Sequence, residues 1–353
     1  MRSLRWLLLA APLSWVLAWL DAPALAVFSA AGLAVVPLAA ELGAATEVLA
    51  ARTGPAAGGL LNATFGNAAE LIVAIVALRA GLVDLVKASL IGSILGNVLL
   101  ILGLALVAGG LRRATVTFNR TAAGMSGAML LLAVIGLVVP ALFAAAHPAA
   151  APEETVHLSE GVAVVLAVTY GLSLVFSLVT HRRLLGGEPA GPQPGGQTHP
   201  ASYSSGVAVA VLCVATALVA LESELLVHAT EAVVARVGLS QLFLGLIVIP
   251  LIGNAAEHAT AVVVARRGQT DLAFHIALGS STQMALFVAP VMVGVGALLG
   301  QPMNLVFTGF EVIALGLAAL IVTIIGLDGE SHWFEGVQLL AAYALIALAV
   351  WFI

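Results

Sequence analysis

Glu70 and Glu257 each stand in the middle of a long apolar run, inside the same pentapeptide: Gly66-Asn67-Ala68-Ala69-Glu70 and Gly253-Asn254-Ala255-Ala256-Glu257. A charged side chain at membrane depth costs ~2.5–3.5 kcal/mol even on the lenient insertion scale, so an acid there is a functional-site hypothesis by default. Two acids carried in one repeated motif suggest a single site built twice. Asn67 and Glu70 are three residues apart and share a helix face, as do Asn254 and Glu257. Gly66 and Gly253 weaken the helix ahead of each pair, and Pro250 removes a backbone donor one turn earlier in the second copy. A local break is expected at both places, and a broken helix frees carbonyl oxygens to line a cavity.

Two carboxylates brought together repel when both are ionised, and burial disfavours the charged form further. Such a pair holds protons when empty and exchanges them for a divalent cation, never binding both fully. The surrounding donors are oxygen-rich: Ser93 and Asn97 on the span after the first motif, and Ser280, Ser281, Thr282 and Gln283 after the second. Carboxylate, amide and hydroxyl oxygens suit a hard cation such as Ca²⁺, which takes 6–8 oxygen ligands. Asn67, Asn254, Asn97, Ser280 and Gln283 are therefore the expected companions of Glu70 and Glu257. For Asn97 and Gln283 interhelical hydrogen bonding is the competing role, and for the serines plain packing. His258, beside Glu257, either modulates a proton path or donates one hydrogen bond to a neighbouring helix.

Other acids fall within apolar runs: Glu41, Glu47, Glu222, Glu224, Glu231 and Glu311. Glu224 and Glu231 are seven apart on one helix face, and Glu47 corresponds to Glu231 between the two halves. These three are read as a gate or access path, with acids reaching interfacial water as the equal alternative. Asp84, Asp271, Asp328 and Glu330 fall at span ends, where solvated or capping roles are expected.

The elements that must position these residues are membrane helices. Of 353 residues 61% are hydrophobic and 9% charged, against about 25% charged in soluble domains. Apolar runs of about 20 residues exclude a barrel of alternating strands. One cysteine, Cys213, excludes an internal disulfide framework and a cysteine metal cage. Spans are read near 4–20, 24–51, 56–79, 83–109, 119–145, 159–181, 204–235, 239–265, 270–299, 304–326 and 333–352, eleven in all. The first could instead be a signal peptide with a cleavage point near Ala22-Pro23-Ala24-Leu25-Ala26; the uncleaved span is preferred.

With the amino terminus inside, ten arginines (2, 5, 52, 112, 113, 120, 182, 183, 266 and 267) face the cytoplasm and only Arg79, Lys87 and Arg236 face out. That bias obeys the positive-inside rule and places the carboxyl end outside. The chain divides into an extra helix (1–21), a first five-helix repeat (22–183), a Gly/Pro-rich linker (184–203) and a second repeat (204–353). In the repeats 187 residues separate Glu70 from Glu257, Gly81 from Gly268, Asp84 from Asp271 and Gly92 from Gly279. Thr46-Glu47 and Thr230-Glu231 match after a three-residue gap. Five spans per repeat is odd, so the second copy inserts upside down, and inverted repeats with midplane polar residues are a transporter architecture.

These motifs resemble the cation/proton exchanger (CAX) family of the Ca²⁺/cation antiporter superfamily, from about Glu41 to Ile353. Besides the two pentapeptides, the match rests on Gly279-Ser280-Ser281-Thr282-Gln283 and on Asp328-Gly329-Glu330-Ser331-His332-Trp333-Phe334-Glu335-Gly336. The resemblance implies a Ca²⁺/H⁺ antiporter with Glu70 and Glu257 as central cation and proton sites, and the helices carrying Glu47 and Glu231 as sliding gates. It implies no resident cofactor, with Ca²⁺ and H⁺ as cargo. The chain lacks the Gly-Thr/Ser-x-Pro-Glu repeat of sodium/calcium exchangers, which argues for H⁺ as counter-ion. Glu188 alone stands where relatives often carry an acidic helix, which puts regulation through that linker in doubt. Exchange of Na⁺, K⁺ or Mn²⁺, or passive channel conduction, remain the alternatives. No nucleophile–base set or phosphate loop points to an enzyme, and nothing points to nucleic acid. The expected setting is a bacterial inner membrane, with a homo-oligomer left open.

Overall fold

An apolar chain leaves its backbone groups one economical solution away from water, which is to satisfy them within each helix. The computed structural model describes residues 2–149, 151–181 and 204–353, and they are almost entirely helical. After a short 3₁₀ stretch, Arg2–Leu9, come α1 (Ala10–Trp19) and α2 (Ala24–Thr53). Then follow α3 (Pro55–Phe65), α4 (Ala68–Arg79), α5 (Val83–Gly110), α6 (Arg120–Ala146) and α7 (Pro152–Thr180). The later part holds α8 (Ser205–Val237), α9 (Gln241–Gly253), α10 (Ala255–Arg266), α11 (Thr270–Leu298), α12 (Gly309–Ile325) and α13 (Trp333–Trp351). A two-residue antiparallel ribbon pairs β1 (Val116–Thr117) with β2 (Glu330–Ser331). The linker at 184–203 lies outside the described residues.

Seven of the described helices are long and apolar enough to cross a membrane, and an eighth if α9 and α10, bent by 59°, form one span; α12 is shorter. The fold is all-α and polytopic. The expected span at 56–79 is two helices, because Gly66 and Asn67 interrupt it.

The element boundaries repeat. Helices α4 and α10 each have 12 residues, with starts and ends 187 residues apart. Gly81 (φ 80°) and Gly268 (φ 86°), each just beyond, take the left-handed conformation that glycine allows at a helix end. Helices α2 and α8 end 184 residues apart, before Gly54 (φ 84°) and Gly238 (φ 74°). Within α5 a π-helical segment spans Gly96–Ile101, and within α11 another spans Met284–Val288. Such i→i+5 turns widen a helix and are frequent at functional sites.

The chain forms two compact units, and each draws on both halves of the sequence. Unit 1 takes the chain up to Ser89, α8 onward to Glu257, and Val350–Ile353. Within it Leu38 and Leu42 of α2, Ala68 and Ala69 of α4, and Ala215 and Val219 of α8 pack together. Ala10 and Ala11 of α1 meet Ala34 of α2. In lipid, helices associate through such close van der Waals packing, because hydrophobicity no longer separates partner from solvent. Unit 2 takes Leu90 onward to the linker and His258–Ala349. There α5 and α13 touch through glycine: a β-carbon on Gly336 would lie 2.7 Å from the Gly103 carbonyl oxygen and 2.8 Å from the Val107 nitrogen. At one end of unit 2 Phe118 stacks on Phe274 with ring centroids 3.9 Å apart, beside the ribbon.

Candidate functional site

Both acid motifs sit where the expected helix breaks occur. Asn67 (φ −107°, ψ 30°) precedes α4, and Asn254 (φ −89°, ψ 4°) follows α9. Each amide is buried, 1% exposed. The Asn254 backbone N–H and its Nδ2 both donate to the Pro250 carbonyl at 3.0 Å, so this side chain closes the end of α9. The Pro250 carbonyl is consequently engaged rather than free. Leu71 N–H donates to the Asn67 carbonyl at 3.0 Å, which starts α4.

Glu70 and Glu257 occupy the first turns of α4 and α10. The positive end of the helix dipole lies there and lowers the cost of a carboxylate. The two motifs meet within unit 1: a β-carbon on Gly253 would lie 3.4 Å from both Cγ and Oε1 of Glu70. The first motif's carboxyl therefore lies beside the glycine of the second pentapeptide. Among the described residues no group of three or more His, Cys, Asp and Glu gathers as a metal cage. A cation held here would need neutral oxygens besides the two acids.

Unit 2 holds a separate polar pair. Asn97, fully buried at the π-helical segment of α5, donates from Nδ2 to Ser280 Oγ of α11 at 2.9 Å, and its Oδ1 is buried without a hydrogen-bond partner. Ser281 gives its hydroxyl to the Ala277 carbonyl at 2.7 Å, and Thr282 turns back to Leu278 and Gly279 at 3.0 and 2.9 Å. Those two hydroxyls serve their own helix. Gln283 faces the Tyr170 hydroxyl of α7, whose ring tilts against Phe287 at 5.8 Å. Tyr170 carried no motif signal in the sequence. His258 buries Nε2 without a hydrogen-bond partner.

Glu47, Glu224 and Glu231 are exposed on α2 and α8. Their neighbours Thr46 and Thr230 repeat one contact, each hydroxyl donating to the carbonyl four residues back, of Leu42 and Leu226, at 2.9 Å. Glu311 instead forms, with Thr308, a reciprocal capping box at the start of α12. Asp271 accepts from the Asn119 backbone N–H at the start of α6. It thus fastens another helix's entrance rather than its own. Glu222 is wholly buried against Ser14 of α1.

A polytopic all-helical protein with duplicated acid motifs at helix breaks has the architecture of a secondary ion exchanger. The chain belongs to the family described as sodium/calcium exchanger protein, whose sequence model matches residues 23–179 and 207–352. It is 48% identical to the Ca(2+)/H(+) antiporter of Synechocystis sp. over 98% of this chain and 96% of that one. It is 39% identical to the Ca(2+)/H(+) antiporter ChaA of Bacillus subtilis, over 96% and 95%. The native YfkE structure superposes with a TM-score of 0.86 at 37% identity, covering 99% of this chain and all of that one. The H+/Ca2+ exchanger CAX structure, at 16% identity and TM-score 0.71 over 99% and 91%, shares the fold. The resemblance read from the motifs thus extends along nearly the whole chain.

Proposed function

We propose that this protein exchanges Ca²⁺ for H⁺ across a membrane by alternating access, with Glu70 and Glu257 binding either the cation or protons. The observation that carries this is the approach of the Glu70 carboxyl to Gly253, four residues before Glu257. Carboxyl groups at two helix starts present a hard-oxygen site whose charge matches a divalent cation, and two like charges brought together hold protons once it leaves. Asn67 and Asn254, at the helix breaks, are included with them in the cation- and proton-binding site. Asn97, Ser280 and Gln283 are included as neutral oxygen donors, Ser280 and Gln283 from the Gly279–Gln283 motif and Asn97 as the family resemblance implies. Glu47, Glu224 and Glu231 are assigned to the gate or access path, and His258 to modulation of the proton path. No resident cofactor and no enzymatic reaction are needed.

Eleven membrane passages follow if α3 with α4, and α9 with α10, each count as one broken passage. The amino terminus then lies inside and the carboxyl terminus outside a bacterial inner membrane, and the five-passage repeats run in opposite senses. Everted vesicles with an acid interior test the exchange: they should take up Ca²⁺, and E70Q and E257Q should each abolish the uptake. Ca²⁺ flux indifferent to the proton gradient would favour a channel. Competition by Na⁺, K⁺ and Mn²⁺ in the same preparation ranks the cargo.

A further inference from the structure

Glu222 lies on α8 away from both pentapeptides, and the exchange mechanism does not use it. It is fully buried, and its carboxyl meets Ser14 of α1. Ser14 Oγ lies 2.7 Å from the Ala11 carbonyl oxygen and 2.8 Å from Glu222 Oε2. A hydroxyl has one proton and a carbonyl has none. If the hydroxyl donates to the Ala11 carbonyl, the proton between Ser14 and Glu222 belongs to the carboxyl. The second oxygen supports the same state: Oε1 is buried and has no hydrogen-bond partner. As part of a carboxylate it would be an anionic oxygen without a donor, whereas in a carboxylic acid it is a neutral carbonyl, far cheaper to bury. The indole N–H of Trp15 also faces this carboxyl and can donate in either state.

We propose that Glu222 and Ser14 form a proton-binding site separate from Glu70 and Glu257, occupied when α1 is docked on α8. Deprotonation places an unpaired charge in the α1–α8 contact and weakens it. The surroundings offer little to offset that charge. Helix α1 carries no ionisable side chain; α2 carries Glu41, Glu47 and Arg52, and α4 carries Glu70 and Arg79. Along α8 itself Glu224, His228, Glu231 and Arg236 are exposed. The proton thus decides whether α1 holds the helix that also bears Glu224 and Glu231.

The test is infrared difference spectroscopy of the full-length protein in proteoliposomes, using protons and Ca²⁺ as probes. A protonated-carboxyl band should persist at neutral pH in saturating Ca²⁺, vanish in E222Q and shift in S14A. The bands lost in E70Q and E257Q should instead be the Ca²⁺-sensitive ones. If E222Q removes no Ca²⁺-insensitive band, the proposal is wrong, whatever becomes of the exchange reading. A second readout follows docking. A label at Leu13→Cys, an exposed position on α1, pairs with one on the native Cys213 of α8. Their separation should widen as pH rises in the otherwise native protein and stay fixed when E222Q is added, since the amide cannot ionise. An identical pH response in both would overturn the latch.

Discussion

Gly253→Ala isolates the contact on which the cation site rests. Gly253 ends α9 with no left-handed dihedral, so alanine meets no backbone strain and gains the ~0.5–1 kcal/mol that separates the two residues in helices. The added methyl would sit 3.4 Å from Glu70 Cγ and Oε1, ordinary van der Waals contact, so the protein should fold and express normally. Function should suffer. A Ca²⁺ ion sits about 2.3–2.6 Å from each ligand oxygen and gathers 6–8 of them. A methyl against Oε1 occupies volume that other ligands or a bridging water require. Leaving one polar interaction unmade costs about 1–3 kcal/mol, or roughly 5- to 150-fold in half-saturating Ca²⁺. The assay is radioactive Ca²⁺ uptake into proteoliposomes under a fixed proton gradient. Gly171→Ala serves as control, because a β-carbon there meets nothing within 4 Å. An unchanged half-saturating Ca²⁺ in Gly253→Ala, at equal protein per vesicle, refutes the placement of the cation beside Glu70.

Other expectations test different parts of the structure. Gly336→Ala should lower thermal stability in detergent by about 1–3 kcal/mol or prevent accumulation, because the methyl would strike the Gly103 carbonyl, the Val107 nitrogen at 2.8 Å and Leu106 Cβ at 2.9 Å, none of them a flexible side-chain end. Thr308→Ala removes half of the capping box and should cost about 0.5–2 kcal/mol, read as a lower melting temperature with uptake intact at ambient temperature. If protons and Ca²⁺ share Glu70 and Glu257, half-saturating Ca²⁺ should rise as pH falls, by about tenfold per pH unit for each proton displaced. A pH-independent value would mean that the two ligands use different groups.

Much of the site was legible because its signals are local. Glycine and proline set the helix breaks at Asn67 and Asn254, and the 187-residue register reappears in the bounds of α4 and α10 and in the conformations of Gly81 and Gly268. Hydroxyl roles were not legible. Ser280, Ser281 and Thr282 are adjacent and chemically alike, yet two bond to their own helix and one meets Asn97. Which way a hydroxyl turns depends on the rotamer and on the helix packed beside it, and no spacing rule carries that information. The capping role of Glu311 was not read either, although the pattern Thr308-x-x-Glu311 was available in the sequence as the sign.

Composition, apolar periodicity and the duplicated pentapeptide by themselves determined a helical membrane protein with two equivalent acids at weakened helices. These properties follow from chain-local physics: backbone groups must be satisfied in lipid, and glycine and proline cannot hold a helix as alanine does. Only the tertiary structure decided that Glu70 lies against Gly253, that Asn97 meets Ser280 across 183 residues of sequence, and that Ser14 reaches Glu222 across 208. Those contacts join distant segments through close packing of small residues, and their partners are settled by the shapes of neighbouring helices.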